Sequence, residues 1–593
     1  MAAARILVVG GASLDRLDGR EEIVAGGAGM YTAMAAHRSG AAVTLFAPRP
    51  EPMPDALRAV ATNLRWLGPS IAADDLARFE INHRNGRTTY VNAFFGAEGS
   101  LSPSGLPDDL SGFDCVHLVP LGDIGRQRAF LRACRERGAR CISAGTALTL
   151  IDKQPEDALA VLQAADIFFM NEAEAIRLFG SLAAVRSRPG QLLFVTRGQR
   201  GATVVKGDAL TDLAGVAVEM LDPTGAGDTF CGAALVGVAA GLHPVMAARH
   251  AMPLAAEMTT AIGPTALLDN SPAPAAAMDE RVVVNVEQLG RIATLIAGLP
   301  EITPFAFTGP DLPARDHPAA LDYFFATSLQ QFGFWSATDS HYDRPLVATI
   351  DGEQRKGAFY LFRAWMRWLR DDPERLAPAA QANLTDKQLR AVLLADDGSE
   401  PMPELDTHLA LARAYGRDML ALGLTPQIAL QKINAAEAPV AALLQLLDHI
   451  GGYKEDPLRK KSALLAVILL QRPEAWLAGG AADVPPIVDY HVMRSCLRMG
   501  LIEVREHTLR ERLVRRALLP ESDEWAVRYA AFRAMQQLVT LSGKSMGAVD
   551  WFFFQARERC PEMTPPDCAH CAVDAVCAHR RDLFQPVRRT SFY

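Results

Sequence analysis

DPTGAGDTF, Asp222 to Phe230, is the stretch on which the fold of this chain turns. Pro and Gly after an acidic residue make a turn, and Gly225, Ala226 and Gly227 fall where the next helix should begin. The unpaired N–H groups of a first helical turn, together with the helix dipole, form an anion hole. Asp228 stands beside that hole, placed to take the proton of an attacking hydroxyl while the backbone holds a transferring phosphoryl group. Around the motif, short β-rich runs (RILVVGG, AAVTLFAP, CVHLVPL, RCISAG, DIFFMN, QLLFVTRG) alternate with helical stretches such as AFLRACRERG. That alternation predicts a mainly parallel sheet with helices on both faces. FEINHRNGRTTYVNAF departs from it, because two extended runs meet at Asn85-Gly86, a hairpin signal that predicts a small β-lid.

From about Ala4 to Leu268 these motifs resemble the ribokinase-like, or PfkB, family of sugar and nucleoside kinases. The resemblance implies an ATP- and Mg²⁺-dependent kinase. It makes Asp228 the catalytic base and Gly225, Ala226 and Gly227 the anion hole. Asp15 in GGASLD and Gly26-Gly27 in AGGAGMYTAMAAHRSG match its substrate-binding positions. Asn171 and Glu174 in NEAEA match an NxxE motif that organises Mg²⁺ and phosphate, and Thr196 and Gly198 in VTRGQRGA match the lining of the ATP site. Where family members carry Asn, this chain has Tyr31, which implies an acceptor other than a plain hexose or ribose. Tyr31 could stack on a nucleobase; packing in the core or lid is the reading favoured.

LDNSPAPAAAMDE, Leu268 to Glu280, has the Pro/Ala composition of a joint. The expected organisation is a first domain at 1–270, a linker at 271–283 and a second domain at 284–593. Beyond the joint, amphipathic patterns such as GAFYLFRAWMRWLRDD and AVRYAAFRAMQQLVTLSG predict a mostly α-helical fold. In VPPIVDYHVMRSCLRMGL, Asp489 precedes a helix, where it is either an N-cap or a carboxylate held beside a developing cation. The string resembles the corresponding segment of helix-hairpin-helix DNA glycosylases, in which the Asp is catalytic. Cys560, Cys568, Cys571 and Cys577 form a C-x7-C-x2-C-x5-C array at 560–577, close to the [4Fe–4S] loop of many such glycosylases. Zinc is the alternative occupant, with His570 and His579 nearby. The glycine hairpin that grips DNA in those enzymes is missing from KEDPLRKKSALL, where Lys461 takes about the place of a Schiff-base lysine. Arg459-Lys460-Lys461 equally suits a single small phosphate.

Much of Ala319 to Tyr593 is more similar to the queuosine-salvage family of queuosine 5′-phosphate N-glycosidases. FGFW at Phe332–Trp335, VDYHVMRSCLRMG and the terminal FQPVRRTSFY carry this resemblance. It implies a glycosidase pocket that includes Phe334, Trp335, Lys461, Tyr490 and Asp550, with Asp489 catalytic. Ser328, Gln331 and Gln555 depart from the family's acidic and amide residues, and the cysteine loop is an addition.

Together the two resemblances imply a bifunctional salvage enzyme that phosphorylates the 5′-hydroxyl of queuosine or a related deazaguanine nucleoside and then cleaves the monophosphate. Two alternatives stand beside it: a kinase fused to a DNA-repair glycosylase, and a kinase with a non-catalytic helical binding domain. The 593 residues allow two catalytic domains, and 49% hydrophobic with 22% charged residues describes a soluble globular chain. A net charge of -8 argues against non-specific nucleic-acid binding. The apolar run LAVILL at Leu465 is too short for a membrane span, and the N-terminus lacks a secretory pattern, so the cytoplasm is expected. The expected partners are ATP, a nucleoside and its 5′-monophosphate, with no membrane or nucleic acid; homodimerisation stays open.

Overall fold

The structure is a computed structural model that describes residues 3–84, 87–268, 273–274 and 279–593. It divides into two units, Met1–Ala277 and Met278–Tyr593.

The first unit opens with β1 (Arg5–Val9), β2 (Ser13–Leu17), β3 (Val24–Gly26), α1 (Ala28–Arg38), β4 (Ala42–Phe46) and β5 (Arg65–Leu67). The paired strands β6 (Ala77–Arg84) and β7 (Arg87–Phe94) follow, then β8 (Cys115–Leu118), β9 (Ile142–Gly145) and β10 (Ile167–Asn171). After α2 (Glu172–Phe179) come β11 (Leu192–Thr196), β12 (Ala202–Lys206), β13 (Ala209–Leu213) and α3 (Ala226–Ala239). Nine strands form one sheet in the order β13-β12-β11-β10-β9-β8-β1-β4-β5. It is parallel from β11 to β5, and β12 and β13 add an antiparallel edge. Ile6, Leu7, Val8 and Val9 are wholly buried, because helices cover both faces of the sheet; strands so placed read as unbroken apolar runs. In such a sheet ligands bind beyond the carboxyl ends of the strands. There β1 runs into Gly10-Gly11, and Asn171 at the end of β10 pairs with Thr196 at the end of β11.

The expected lid is a second sheet of four strands, β3-β2-β6-β7. The Asn85-Gly86 turn lies outside the described residues, and β6 and β7 on either side of it are antiparallel, with Arg84 opposite Arg87.

The second unit is built mainly of helices. Those used below are α4 (Ala358–Asp371), α5 (Lys460–Gln471), α6 (Tyr490–Met499), α7 (Glu521–Ser542) and α8 (Met546–Arg559). Part of the segment expected as linker, 271–283, lies outside the described residues, and Val282–Val284 is a strand, β14, paired with Ile502–Val504. Two hairpins also interrupt the helices: β15 (Trp335–Thr338) with β16 (His341–Pro345), and β17 (Val347–Ile350) with β18 (Glu353–Lys356). Their two-residue turns, Asp339-Ser340 and Asp351-Gly352, have positive φ at both positions, the backbone that matches strand twist. At the heart of the unit, wholly buried Arg528 on α7 donates to both carboxylate oxygens of Asp456 at 2.8 and 2.7 Å. Asp456 in turn accepts the backbone N–H of Lys460 at 2.8 Å, which fixes the start of α5. Among the described residues no helix is long and apolar enough to cross a membrane.

Candidate active sites

The first centre lies beyond the carboxyl ends of the large sheet. Gly225, in the left-handed region at φ 75°, is the N-cap of α3, and Asp228 stands in the first turn of that helix. A side chain at position 225 would collide with the ring of Tyr31, whose Cδ1 would lie 2.4 Å from a Cβ there. Tyr31 is therefore packed against the glycine turn, and among the described residues its buried hydroxyl has no hydrogen-bond partner. The charges of Asp15, Asp222 and Asp228 bear on that phenol, which burial and then these carboxylates push upward.

Asp228 is raised to about 7 by burial and then by the charge of Glu174. Glu174 is itself raised to about 7, chiefly by burial. Asn171 and Glu174 form a reciprocal capping box on α2: Asn171 Oδ1 accepts from Glu174 N at 3.0 Å, and Glu174 Oε2 accepts from Asn171 N at 2.8 Å. Thr196 is set beside Asn171 by strand register, and Gly198 follows it at φ 58°.

Asp15 is buried, accepts a hydrogen bond from Ser13 Oγ at 2.7 Å, and is raised to about 7 by burial. Gly26 leaves room for the Asp15 carboxylate, since a Cβ there would lie 1.8 Å from Asp15 Oδ2 and would force it to move. Gly27 caps α1. The structure thus gathers Asp15, Gly26, Tyr31, Gly225, Glu174 and Asp228 into one electrostatic neighbourhood. Three residues not singled out from sequence join it. Asp222 anchors the glycine turn by accepting from Thr224 N at 2.9 Å and Gly263 N at 2.8 Å. His83, from the lid, is 3.1 Å from Thr224 Oγ1. Glu98 accepts from Gly11 N at 3.2 Å and is raised to about 7 by burial.

The second centre joins α5, α6 and α8. Asp489 is the N-cap of α6, its Oδ1 accepting from Val492 N at 2.9 Å. Of the two readings open from sequence, the structure shows the N-cap, and that bond fixes the carboxylate in place. Asp550 on α8 is raised to about 8, first by burial and then by the charge of Asp489, against the opposing effect of Lys460.

The basic triplet differs from expectation. All three of its cations are buried and engaged inside the unit: Arg459 with Asp448, Lys460 Nζ with Gln331 O at 3.0 Å, and Lys461 Nζ with Leu329 O at 2.8 Å. Lys460, not Lys461, is the lysine on which the Asp489 and Asp550 charges act. Lys461 instead lies over the Phe332 ring at 5.1 Å and is pushed down to about 7, chiefly by burial. The cause is helical phase, since consecutive residues at the start of α5 point about 100° apart.

Phe334 and Trp335 pack rather than line an open pocket. Phe334 lies in the main core, whereas Trp335 stacks on Tyr342 at 5.6 Å and lies under the Arg589 guanidinium at 3.7 Å. Tyr342 donates to Glu562 at 3.2 Å, and Glu562 also meets Lys356 at 3.0 Å and Arg494 of α6 at 3.7 Å. Tyr490 is buried next to these groups, its phenol pushed up by burial and then by Glu562 and Asp489. An open cavity of ≈ 400 Å³ is lined instead by Phe359, Trp551, Phe554, Arg557, His570 and Cys571. Arg557 feels the charges of Asp489 and Tyr490, which ties this cavity to the carboxylate pair.

Cys560, Cys568, Cys571 and Cys577 are free thiols around one small cavity of ≈ 30 Å³. N–H groups point at three of them: Arg498 at Cys560 Sγ (3.2 Å), Arg581 at Cys568 Sγ (3.2 Å) and His579 N at Cys577 Sγ (3.4 Å). Such donors stabilise thiolates bound to a metal or cluster. Among the described residues, Cys568, Asp574 and His579 are the group of three possible ligands whose donor atoms all lie within 4.8 Å of one another. His570 is paired with Asp567 at 2.9 Å.

Comparison with known proteins bears on both units. Residues 79–270 match the family described as pfkB family carbohydrate kinase, and residues 312–472 match the queuosine salvage protein family. The chain carries both domains. Solved structures similar to the kinase domain include adenosine kinase from Sinorhizobium meliloti, at 20% identity over 44% of this chain and 96% of that one, with TM-score 0.39. A Burkholderia thailandensis nucleoside kinase in complex with inosine is 19% identical over 46% of this chain and 95% of that one, with TM-score 0.39. Ribokinase from Giardia lamblia is 18% identical over 45% of this chain and 97% of that one, with TM-score 0.39. The kinase match takes in β7, most of β6 and the Asp228 motif, whereas β2, β3 and the segment with Asp15 and Tyr31 precede it; the salvage match spans the FGFW segment and α5. Asp489, Asp550 and the cysteine loop lie beyond the matched part of the salvage domain.

Proposed function

We propose that the chain is a two-step salvage enzyme for a modified nucleoside of the deazaguanine type, such as queuosine. In the first step Asp228 takes the proton of the 5′-hydroxyl, the freed oxygen bonds to the γ-phosphorus of ATP, and ADP leaves. The N–H groups at Gly225 to Gly227 face the charge on the transferring group. Glu174, beside Asp228, is the carboxyl suited to hold Mg²⁺, which when bound neutralises phosphate charge. Asp15 meets the acceptor, while Tyr31 backs the glycine turn.

In the second step the bond between C1′ and the base nitrogen breaks and the nitrogen takes the proton of Asp550. Water adds to C1′ and gives up its proton to Asp489, whose carboxylate also faces the cationic sugar. The products are free base and ribose 5-phosphate. The observation that carries this reading is Asp550: burial and then the Asp489 charge raise it to about 8, so it can hold the proton that an acid must give. Requiring the 5′-phosphate gives the second centre a charged handle absent from the nucleoside, so phosphorylation comes first. We assign the four cysteines to a [4Fe–4S] cluster, which when bound would cross-link the loop; iron with acid-labile sulfide is expected, and zinc alone would reverse the assignment.

The deciding experiment is mass spectrometry of purified protein incubated with queuosine and a panel of ordinary nucleosides, with and without Mg-ATP. Free base appearing only with ATP is the expected result. Phosphorylated nucleoside without base release would confine catalysis to the kinase domain.

A further inference from the structure

The ≈ 400 Å³ cavity along α8, the helix that carries Asp550, falls within the roughly 300–1,000 Å³ usual for small-molecule sites. One wall is α8, which lines the cavity with Trp551, Phe554 and Arg557; Asp550, outside the lining, shares a helix face with Phe554 and Arg557 at i, i+4 and i+7. Trp551 stacks on Phe305 at 4.6 Å and 11°, and on Phe554 at 5.4 Å and 19°, so these rings brace one another as an aromatic wall. The Arg557 guanidinium lies 3.6 Å from the centre of the Phe554 ring, and among the described residues it forms no ion pair. The other wall is the cysteine loop, at His570, Cys571 and Ala572. Cys571, Ala556 and Arg559 line both this cavity and the thiol cavity, so the two share a partition.

Between Pro561 and Cys577 the loop has no regular structure beyond two single turns, Cys568–His570 and Asp574–Val576. A metal centre that closes such a loop supplies much of its order. At its base the loop is clamped to the catalytic helices. Cys560 is the C-cap of α8, and Arg498 of α6 donates to Pro561 O at 2.8 Å and to Cys560 Sγ at 3.2 Å.

We propose that the metal centre of the cysteine loop holds the outer wall of the glycosidase's nucleotide pocket. The pocket takes a nucleoside 5′-monophosphate, its base against the aromatic wall of Phe359, Trp551 and Phe554 and its phosphate at Arg557, and affinity depends on metal in the loop. This rests on the two-step reading above.

The test measures binding of queuosine 5′-monophosphate to the full-length chain by calorimetry, in an Asp489→Asn background that stops turnover and keeps an N-cap. Anaerobic metal-loaded protein is compared with chelator-stripped protein. Stripping is expected to weaken binding at least tenfold with far-UV circular dichroism unchanged. Because stripping can unfold more than the loop, Ala572→Trp provides a second arm: it keeps all four thiols and fills the pocket from the loop side. It is expected to retain iron and sulfide, to phosphorylate nucleoside as before, and to bind the monophosphate at least tenfold more weakly. Equal binding by loaded, stripped and Ala572→Trp proteins, with base release by the wild type intact, overturns this inference and leaves the two-step reading standing. If the wild type releases no base, the two-step reading fails; the pocket is then judged by binding alone, and absence of binding to the loaded protein overturns both.

Discussion

Asp228 in the kinase domain and Asp550 in the salvage domain are both carboxyls driven far above the usual range, to about 7 and about 8, and in both burial is the larger cause. The second cause is also alike, a neighbouring carboxylate: Glu174 in one case, Asp489 in the other. Yet the chemistry asks opposite things of them. In the two steps proposed above, Asp228 must lose its proton to act as a base, whereas Asp550 must keep its proton to act as an acid. The difference shows that a raised pKa does not assign a role. The reaction at hand decides which protonation state is useful, and each centre is placed so that its state is populated near neutrality.

The strongest way to break this comparison is to exchange charge for amide in each centre. Asp228→Asn is expected to slow nucleoside phosphorylation by roughly 10²–10⁴-fold. Base release from nucleoside should fall with it and recover fully when the 5′-monophosphate is supplied. Asp550→Asn should slow release from the monophosphate by a similar roughly 10²–10⁴-fold while phosphorylation continues. Mass spectrometry of nucleoside, nucleotide and base separates the two patterns, and a loss of phosphorylation in the second variant would sink the division of labour.

Next in size are the pH profiles. Phosphorylation should rise with pH and level off above about 7, as Asp228 ionises. Release of base from the monophosphate should decline as pH passes about 8, as Asp550 ionises. Initial rates measured separately for each step check this, and limbs of the same direction would end the comparison.

A smaller effect sharpens it. Lys460 holds the Asp550 pKa down, so Lys460→Met should carry the alkaline limb of base release upward by about one unit, or ~1.4 kcal/mol. Lys461→Met should leave that limb in place, and a limb that moves with Lys461 instead would contradict the geometry of α5.

The smallest effect is on folding. Asp15, Glu98, Glu174 and Asp228 are each raised to about 7 in the folded kinase domain, so the folded state binds more protons than the unfolded chain. Their contribution is fully present below the ordinary carboxylate range and is lost as pH rises through about 7. A melting transition of that domain lower at pH 7.5 than at pH 5, by about 2–4 °C for each kcal/mol lost, is expected in calorimetry, and Mg-ATP should narrow the gap.

Much of this was written in the sequence. The apolar runs predicted the parallel sheet because strands buried on both faces admit little else, and DPTGAGDTF located the first centre because φ at position 225 calls for glycine. Asp351-Gly352 is an equally local hairpin signal, set within a domain whose dominant periodicity is helical. Lys460 and Lys461 could not be told apart so, since their directions follow from Arg459, a non-glycine residue at φ 56°. Glu98 and His83 reach their centre only through tertiary folding, and nothing in AEGS or INHR marks them. Arg557, seven residues beyond Asp550 on one helix face, was legible in principle.

The capping box at Asn171 and Glu174 has a consequence for descent. Each side chain satisfies a backbone group of the other at the start of α2, and Glu174 also sets the charge beside Asp228. Selection for folding alone would then preserve the pair in a lineage that had lost the reaction. Its survival in a distant homologue is poor testimony that phosphorylation still occurs there, whereas the loss of Asp228, which caps nothing, would be the sooner sign of a lapsed enzyme.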